Sequence, residues 1–285
     1  MAAGAPRAAR GVALGTMVKG DIFRRLLLGV GVVLVLLPMV PLLLWSVAQG
    51  WFFPALLPAE WSWRAWEYVL SERAGVFEAL GYSGLVAMVV TLFSLLIGVP
   101  AGRALGLYQF RGKVIVYFLI LAPVMMPVIA VAMGIHVAFL RWGLADRLLG
   151  VVLVHLVPVL PYVVLVLSSV FANYEVAYEA QARTLGARPW QVWWHVVLPM
   201  IWPGLVVAGL FAFIISWSQY LLTLLIGGGQ VVTLPVLLFA FANSGDKAIT
   251  AALSLIFIAP VLLLFGLTSR YLTGRNAALG GLGRV

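Results

Sequence analysis

Long apolar stretches separated by short polar ones run along almost the whole chain. Residues 26–45 pass twenty positions without a charge, enough for one helix across a bilayer at 1.5 Å rise per residue. A cleaved signal peptide competes for this stretch, helped by the small residues Ser46 and Ala48. Its apolar core would be about 7–15 residues, however, so an uncleaved first helix over 26–48 is the expectation. Further spans are predicted over about 79–102, 114–140, 148–171, 196–226 and 249–267. The second ends on a Gly98/Gly102 pair, a small face that permits close helix packing. Pro123 and Pro127 kink the third, and Pro158 and Pro161 interrupt the fourth. Gly227, Gly228 and Gly229 precede a re-entrant stretch over 231–242. The expected fold is an all-α membrane protein of six transmembrane helices.

The polar stretches divide the chain further. Residues 1–25 and 272–285 read as tails. Residues 49–78 form an external segment whose Trp51, Trp61, Trp63 and Trp66 suit the headgroup level of a membrane, with an interfacial helix over 61–66. Contact with an outside partner is the alternative reading of those rings. Residues 79–271 form a five-helix core.

Composition agrees with a polytopic protein. Of 285 residues, 64% are hydrophobic and 9% charged, with a mean hydropathy of +1.11. Soluble domains carry about 45–50% apolar and about 25% charged residues. The formal charge of +9 does not point to nucleic acid, because the basic residues sit in short clusters beside apolar runs. They also set the orientation: with six spans, 13 Lys and Arg fall on the side of the termini against 5 on the other. The positive-inside bias then puts both termini in the cytoplasm. The absence of Cys excludes disulfides and thiolate chemistry.

One stretch breaks the pattern. Residues 178–203 carry Glu, Arg, His and Gln at helical density between two spans, on the cytoplasmic side. Residues 179–185 are good helix formers. Gly186 can end that helix in a left-handed conformation, and Pro189 suits the first turn of a second helix. The stretch therefore reads as helix, tight turn, helix, with the chain returning to the membrane at Pro199. A cytoplasmic coupling helix between the fourth and fifth spans is the expectation; an ordinary amphipathic loop is the bland alternative.

At these positions the chain resembles the EAA loop of the inner-membrane permeases of binding-protein-dependent ABC importers, the type I or MetI-like fold. That pattern places Glu-Ala-Ala, three residues, Gly, nine residues, Ile, any residue, then Leu-Pro. Gly186, Val196, Leu198 and Pro199 fall at the required spacings within residues 173–199. The similarity extends over about 79–271, including Arg111-Gly112-Lys113 and the 227–235 turn, and is greatest to the branch serving polyamines, thiamine and iron. It departs from the pattern at Ala180, where the family has its glutamate; Glu179 stands one residue earlier, about 100° round a helix. Gln181 replaces the first alanine.

The resemblance implies a permease subunit without its own catalysis or cofactor, ATP and Mg²⁺ belonging to a partner ATPase dimer. It implies a second, unlike permease subunit and a periplasmic or lipid-anchored solute-binding protein in a bacterial inner membrane. Glu179, Ala180, Arg183, Gly186, Ala187, Leu198 and Pro199 would meet the ATPase. Whether Glu179 makes the family's acidic contact stays open. The solute would be small, such as a polyamine.

The residues themselves add three readings. The fifth span holds the most polar patch of any, at Ser216, Gln219 and Tyr220. These line a translocation route or hydrogen-bond helix to helix. His136 and His155 lie inside spans, where an ionisable group is either functional or a packed, hydrogen-bonded neutral one, the latter being the expectation, with no third ligand spaced for a metal. No GK[ST] follows the glycine triplet, so it is not a phosphate loop, and no nucleotide motif occurs anywhere in the chain. A stand-alone ion-coupled transporter is the alternative function, opposed by the lack of carboxylates in the spans and of an internal repeat. A non-transporting membrane scaffold is another, and would need neither the polar patch nor the loop spacing.

Overall fold

The structure, a computed structural model, describes residues 29–272 except 32, 35, 53, 56 and 57. The expected tail over 1–25, the start of the first span and residues 273–285 lie outside the described residues. The first complete helix is α1, Met39–Ser46, which lies against the final helix. A two-stranded hairpin then pairs β1 Ala48–Gln49 with β2 Glu60–Trp61, and α2 covers Arg64–Val69. The interfacial helix expected over 61–66 thus starts later, with the exposed rings of Trp61 and Trp63 ahead of it. The Arg64 guanidinium reaches Asp246 at 2.8 Å and ties this segment to the start of the final helix.

Four helical runs are long and apolar enough to cross a membrane: α3 Val76–Leu107, α6 Leu148–Ala172, the run Pro189–Trp217, and α12, which begins at Lys247 and ends at Leu272. The expected third span is not one helix. It is α4 Lys113–Met125 followed by α5 Val128–Trp142, turned by 99°. Proline forces its preceding residue out of the α region. Met126 accordingly takes φ −89° and ψ 149°, and with Pro127 carrying no N–H the helix ends there rather than bending. Six continuous spans are therefore not what the described residues show; the count is four, or five if the bent pair is one.

The fifth span also ends early. α9 runs Leu198–Trp217, the chain breaks at Ser218–Tyr220, and α10 (Leu221–Gly227) and α11 (Leu234–Ser244) come before α12. The expected re-entrant stretch corresponds to α11.

The core sits where α3, α6 and α9 meet, around Val86, Val90, Val154, Val163 and Ala208. α3 and α6 come close because α3 presents glycine at 98, 102 and 106. A Cβ at Gly98 would sit 2.5 Å from Val163 Cγ1, at Gly102 2.6 Å from Leu167 Cβ, and at Gly106 2.6 Å from Phe171 Cβ. The small face expected at Gly98 and Gly102 is thus real and one turn longer. Its last turn, at Gly106, brings the end of α3 against the end of α6.

Candidate functional site

The polar stretch after α6 folds as a bent pair of helices. α7 covers Ala177–Thr184 and α8 covers Pro189–Val192. Between them Gly186 takes φ +85°, a left-handed conformation that costs glycine little. The Gly186 N–H donates to the Arg183 carbonyl at 3.0 Å and the Ala187 N–H to the Ala182 carbonyl at 3.0 Å. These are the two bonds of a Schellman stop, and they satisfy carbonyls that the end of α7 leaves unpaired. Gln191 then caps α8 by accepting from the Arg188 N–H at 2.8 Å.

α8 passes into α9 without a break. Residues Trp193–Val197 widen into a π turn, and Pro189–Trp217 is one continuous helical run. Pro199 has no N–H for the carbonyl four residues earlier, and a widened turn is how a helix absorbs that loss. Leu198 and Pro199 therefore sit inside a helix that already began at Pro189. Any movement of α8 along its axis is carried directly into α9.

The bent pair is held by a small core of Phe171, Tyr174, Val192, Val197 and Ile201, with Ala182 and Ala187 packed against it. On it sits one buried carboxylate. Glu179 is 3% exposed and faces the Arg103 guanidinium, whose nitrogen lies 2.9 Å from Oε1 and donates to Oε2 at 3.0 Å. Arg103 also lies 5.8 Å from the centre of the Phe171 ring. Arg183 approaches the same carboxylate at 3.4 Å from the exposed side. Burial alone would raise the Glu179 pKa; the Arg103 hydrogen bond and charge, the nearby Tyr174 hydroxyl and Arg183 outweigh it and hold the carboxyl below its ordinary range. Burial chiefly, with the Glu179 charge adding to it, pushes the Tyr174 hydroxyl up to about 12.

The charge pattern places Arg103 in a short basic loop after the second span. α3 instead continues to Leu107, so Arg103 projects from a helix end toward the bundle. Neither Arg103 nor Tyr174 is a candidate from the sequence. The available signal is an arginine directly after the Gly98/Gly102 face, since an ionisable group at that depth needs a partner. Ala180, at the position of the family glutamate, is exposed, as are Arg183 and Gly186, while Ala187 is half-buried.

The second candidate set divides. Ser216 is 3% exposed, and its hydroxyl is 3.0 Å from His155 Nδ1. His155 Nε2 is 2.9 Å from Thr223 Oγ1, which itself donates to the Gln219 carbonyl at 3.0 Å. With the Thr223 proton committed there, His155 donates from Nε2 and accepts the Ser216 hydroxyl at Nδ1. Ser216 thus bonds helix to helix, joining α6 and α9, the second of the two readings its sequence position allows. Gln219 and Tyr220 are half-buried at the break between α9 and α10, where the Tyr220 ring packs 4.2 Å from that of Phe239. His136 keeps a buried Nδ1 with no hydrogen bond.

Comparison with known proteins agrees with this architecture. Residues 94–272 match the family described as binding-protein-dependent transport system inner membrane component. The molybdenum transport system permease protein ModB of Mycobacterium tuberculosis is 33% identical over 204 residues, covering 65% of this chain and 76% of that protein. The putrescine transport system permease protein PotI of Escherichia coli is 28% identical over 224 residues, covering 76% and 79%. PhnV of Salmonella paratyphi A, assigned to 2-aminoethylphosphonate transport, is 30% identical over 235 residues, covering 82% and 87%. Among solved structures, a chain of a bacterial ABC transporter that imports the acidic polysaccharide alginate superposes with a TM-score of 0.68 at 19% identity, over 95% of this chain and 99% of that one. This sets aside the stand-alone transporter and the scaffold, and it assigns ATP hydrolysis to partner ATPases rather than to this chain. The chain belongs to the inner-membrane permease family of binding-protein-dependent ABC importers, with the type I, MetI-like fold.

Proposed function

We propose that this subunit couples to a cytoplasmic ATPase pair through the bent segment over 178–199 and encloses a solute path together with a second permease subunit. The observation that carries the reading is mechanical. A helix, a Schellman turn at Gly186 and a second helix continuous with a membrane-crossing run make a stiff elbow. Glu179 and Arg103 fasten it to α3 as well. Approach of the two ATPases would displace both elbows, and each displacement would reach α9 axially and α3 through the ion pair. The bundle can respond because its breaks at Met126–Pro127 and Ser218–Tyr220 leave alternative packings open. Both termini and the elbow lie in the cytoplasm, as the distribution of basic residues favours.

Gln219 and Tyr220 line the path. Support comes from the Gln219 side-chain amide, which is half-buried at the break and makes no side-chain hydrogen bond among the described residues. The solute is small and charged. The relatives' names cover molybdenum, an aminophosphonate and a diamine, and a polyamine is the class that the branch resemblance favours.

Purification of the tagged chain from its own membranes tests the reading. An ATPase and a second permease should accompany it, and the assembly should take up the solute held by its binding protein only when ATP is supplied. Recovery of the chain alone, or uptake indifferent to ATP, contradicts it.

A further inference from the structure

The elbow's ionic groups are distributed unevenly. Glu179, the acid on α7, is buried and committed to Arg103. Ala180 beside it is exposed and uncharged, and the turn after α7 offers only cations. The Arg183 side chain is 62% exposed and meets Glu179 no closer than 3.4 Å. Arg188 is exposed, with no ion-pair partner among the described residues. Between these two arginines stands Leu185, at 89% the most exposed large apolar side chain among those described. A leucine held almost fully in water at the tip of a rigid turn, flanked by one loosely paired and one unpaired guanidinium group, is a surface shaped for one kind of complement.

We infer that the ATPase surface receiving this elbow is an apolar socket for Leu185 rimmed by carboxylates facing Arg183 and Arg188, with Glu179 taking no part in the contact. This rests on the coupling role proposed above and specifies its chemistry. The interface has the opposite polarity to one in which a permease carboxylate reaches a basic ATPase residue. Glu179 is a positioning residue: it sets the angle of α7 through Arg103, and its charge never reaches the partner. Arginine suits the rim because its guanidinium pairs bidentately with a carboxylate.

The natural chain has no Cys, so Leu185→Cys provides a single labelling site. The full-length variant in nanodiscs, carrying a benzophenone maleimide, is irradiated with the ATPase that accompanies the wild-type chain. In parallel, ATPase affinity is measured against ionic strength for the wild type, Arg183→Glu/Arg188→Glu and Glu179→Gln. The expected results are a crosslink from position 185, wild-type affinity that falls as salt rises, and a Kd raised roughly tenfold or more by the double reversal. Glu179→Gln should move Kd by less than about threefold while lowering thermal stability. Arg188 is exposed and unpaired, while Arg183→Glu sets a second carboxylate near Glu179, so the reversal should fold with somewhat lower stability. If it does not fold, the salt dependence and the milder Arg183→Gln/Arg188→Gln variant carry the test. A crosslink with salt-independent affinity, or with full affinity in the reversal, overturns the acidic rim and leaves the coupling role standing. No crosslink overturns the coupling role, and this inference with it.

Discussion

The Glu179 carboxylate lies 2.9 Å from the Arg103 guanidinium, a residue 76 positions earlier in the chain. This contact makes the polar stretch between two spans part of the bundle rather than an appendage. It fixes α7 to the end of α3, while α8 is fixed to α9 by being the same helical run.

Removing that contact should loosen the elbow. Glu179→Gln should cost about 1–3 kcal/mol, read as a lower unfolding temperature in detergent through the chain's own tryptophan fluorescence. The pH dependence has a definite sign. The folded Glu179 pKa lies below its unfolded value of about 4.3, so the contribution is fully present above that value and is lost as pH falls through the folded one. Wild type and variant should differ by a constant amount between about pH 6 and 9 and converge in acid. A difference that vanished at neutral pH would mean the pair holds nothing. Tyr174, raised to about 12, makes the folded state lose stability as pH climbs above about 10, the unfolded value.

Gly102→Ala tests the ridge that brings α3 to α6. Its new Cβ would stand 2.6 Å from Leu167 Cβ and 3.0 Å from backbone atoms of residues 167 and 168, none of which can turn away. A loss of about 1–3 kcal/mol is expected. Unchanged thermal stability would show that the two helices are not in this register.

His155 joins α6 to α9 and α10 through Ser216 and Thr223. His155→Ala should cost about 2–5 kcal/mol, from the cavity it leaves and from the loss of both bonds. Ser216→Ala should cost roughly 1 kcal/mol and leave solute uptake at the wild-type rate. A large uptake defect in Ser216→Ala without loss of stability would place Ser216 on the route.

Gln219→Ala should weaken transport by about fivefold, near 1 kcal/mol for one lost hydrogen bond, with stability unchanged. Initial rates of ATP-driven uptake across a solute series measure this. If neither rate nor half-saturation moved, Gln219 would not face the solute.

Much of the fold is legible in the sequence, for local reasons. The elbow can be read because each signal acts within a few residues: helix formers over 179–185, glycine at 186, proline at 189. The fourth span and the Gly98/Gly102 face are readable on the same terms. What escapes depends on distance or on degree. The Arg103–Glu179 pair joins residues far apart in the chain, and Arg103 looks like part of a loop because nothing local shows that α3 runs on to Leu107. Pro127 is visible, but whether a proline bends a helix or ends it depends on the path of its neighbours; here the chain turns by 99°. Ser216 is visible as a polar residue in a span, yet its histidine partner lies on another helix. Glu179 has the same character: its position round α7 comes from one residue of offset, but what it faces is set by α3.

The central claim is that the elbow transmits ATPase movement, and Gly186→Asp tests it most directly. Gly186 holds φ +85°, where a side chain costs about 1–2 kcal/mol, and the new carboxylate would sit at the tip beside Leu185. In proteoliposomes containing the chain with its ATPase, second permease and binding protein, the variant should fold, lose most ATPase association and show no ATP-driven uptake above background. Wild-type association together with wild-type uptake in Gly186→Asp would contradict the claim.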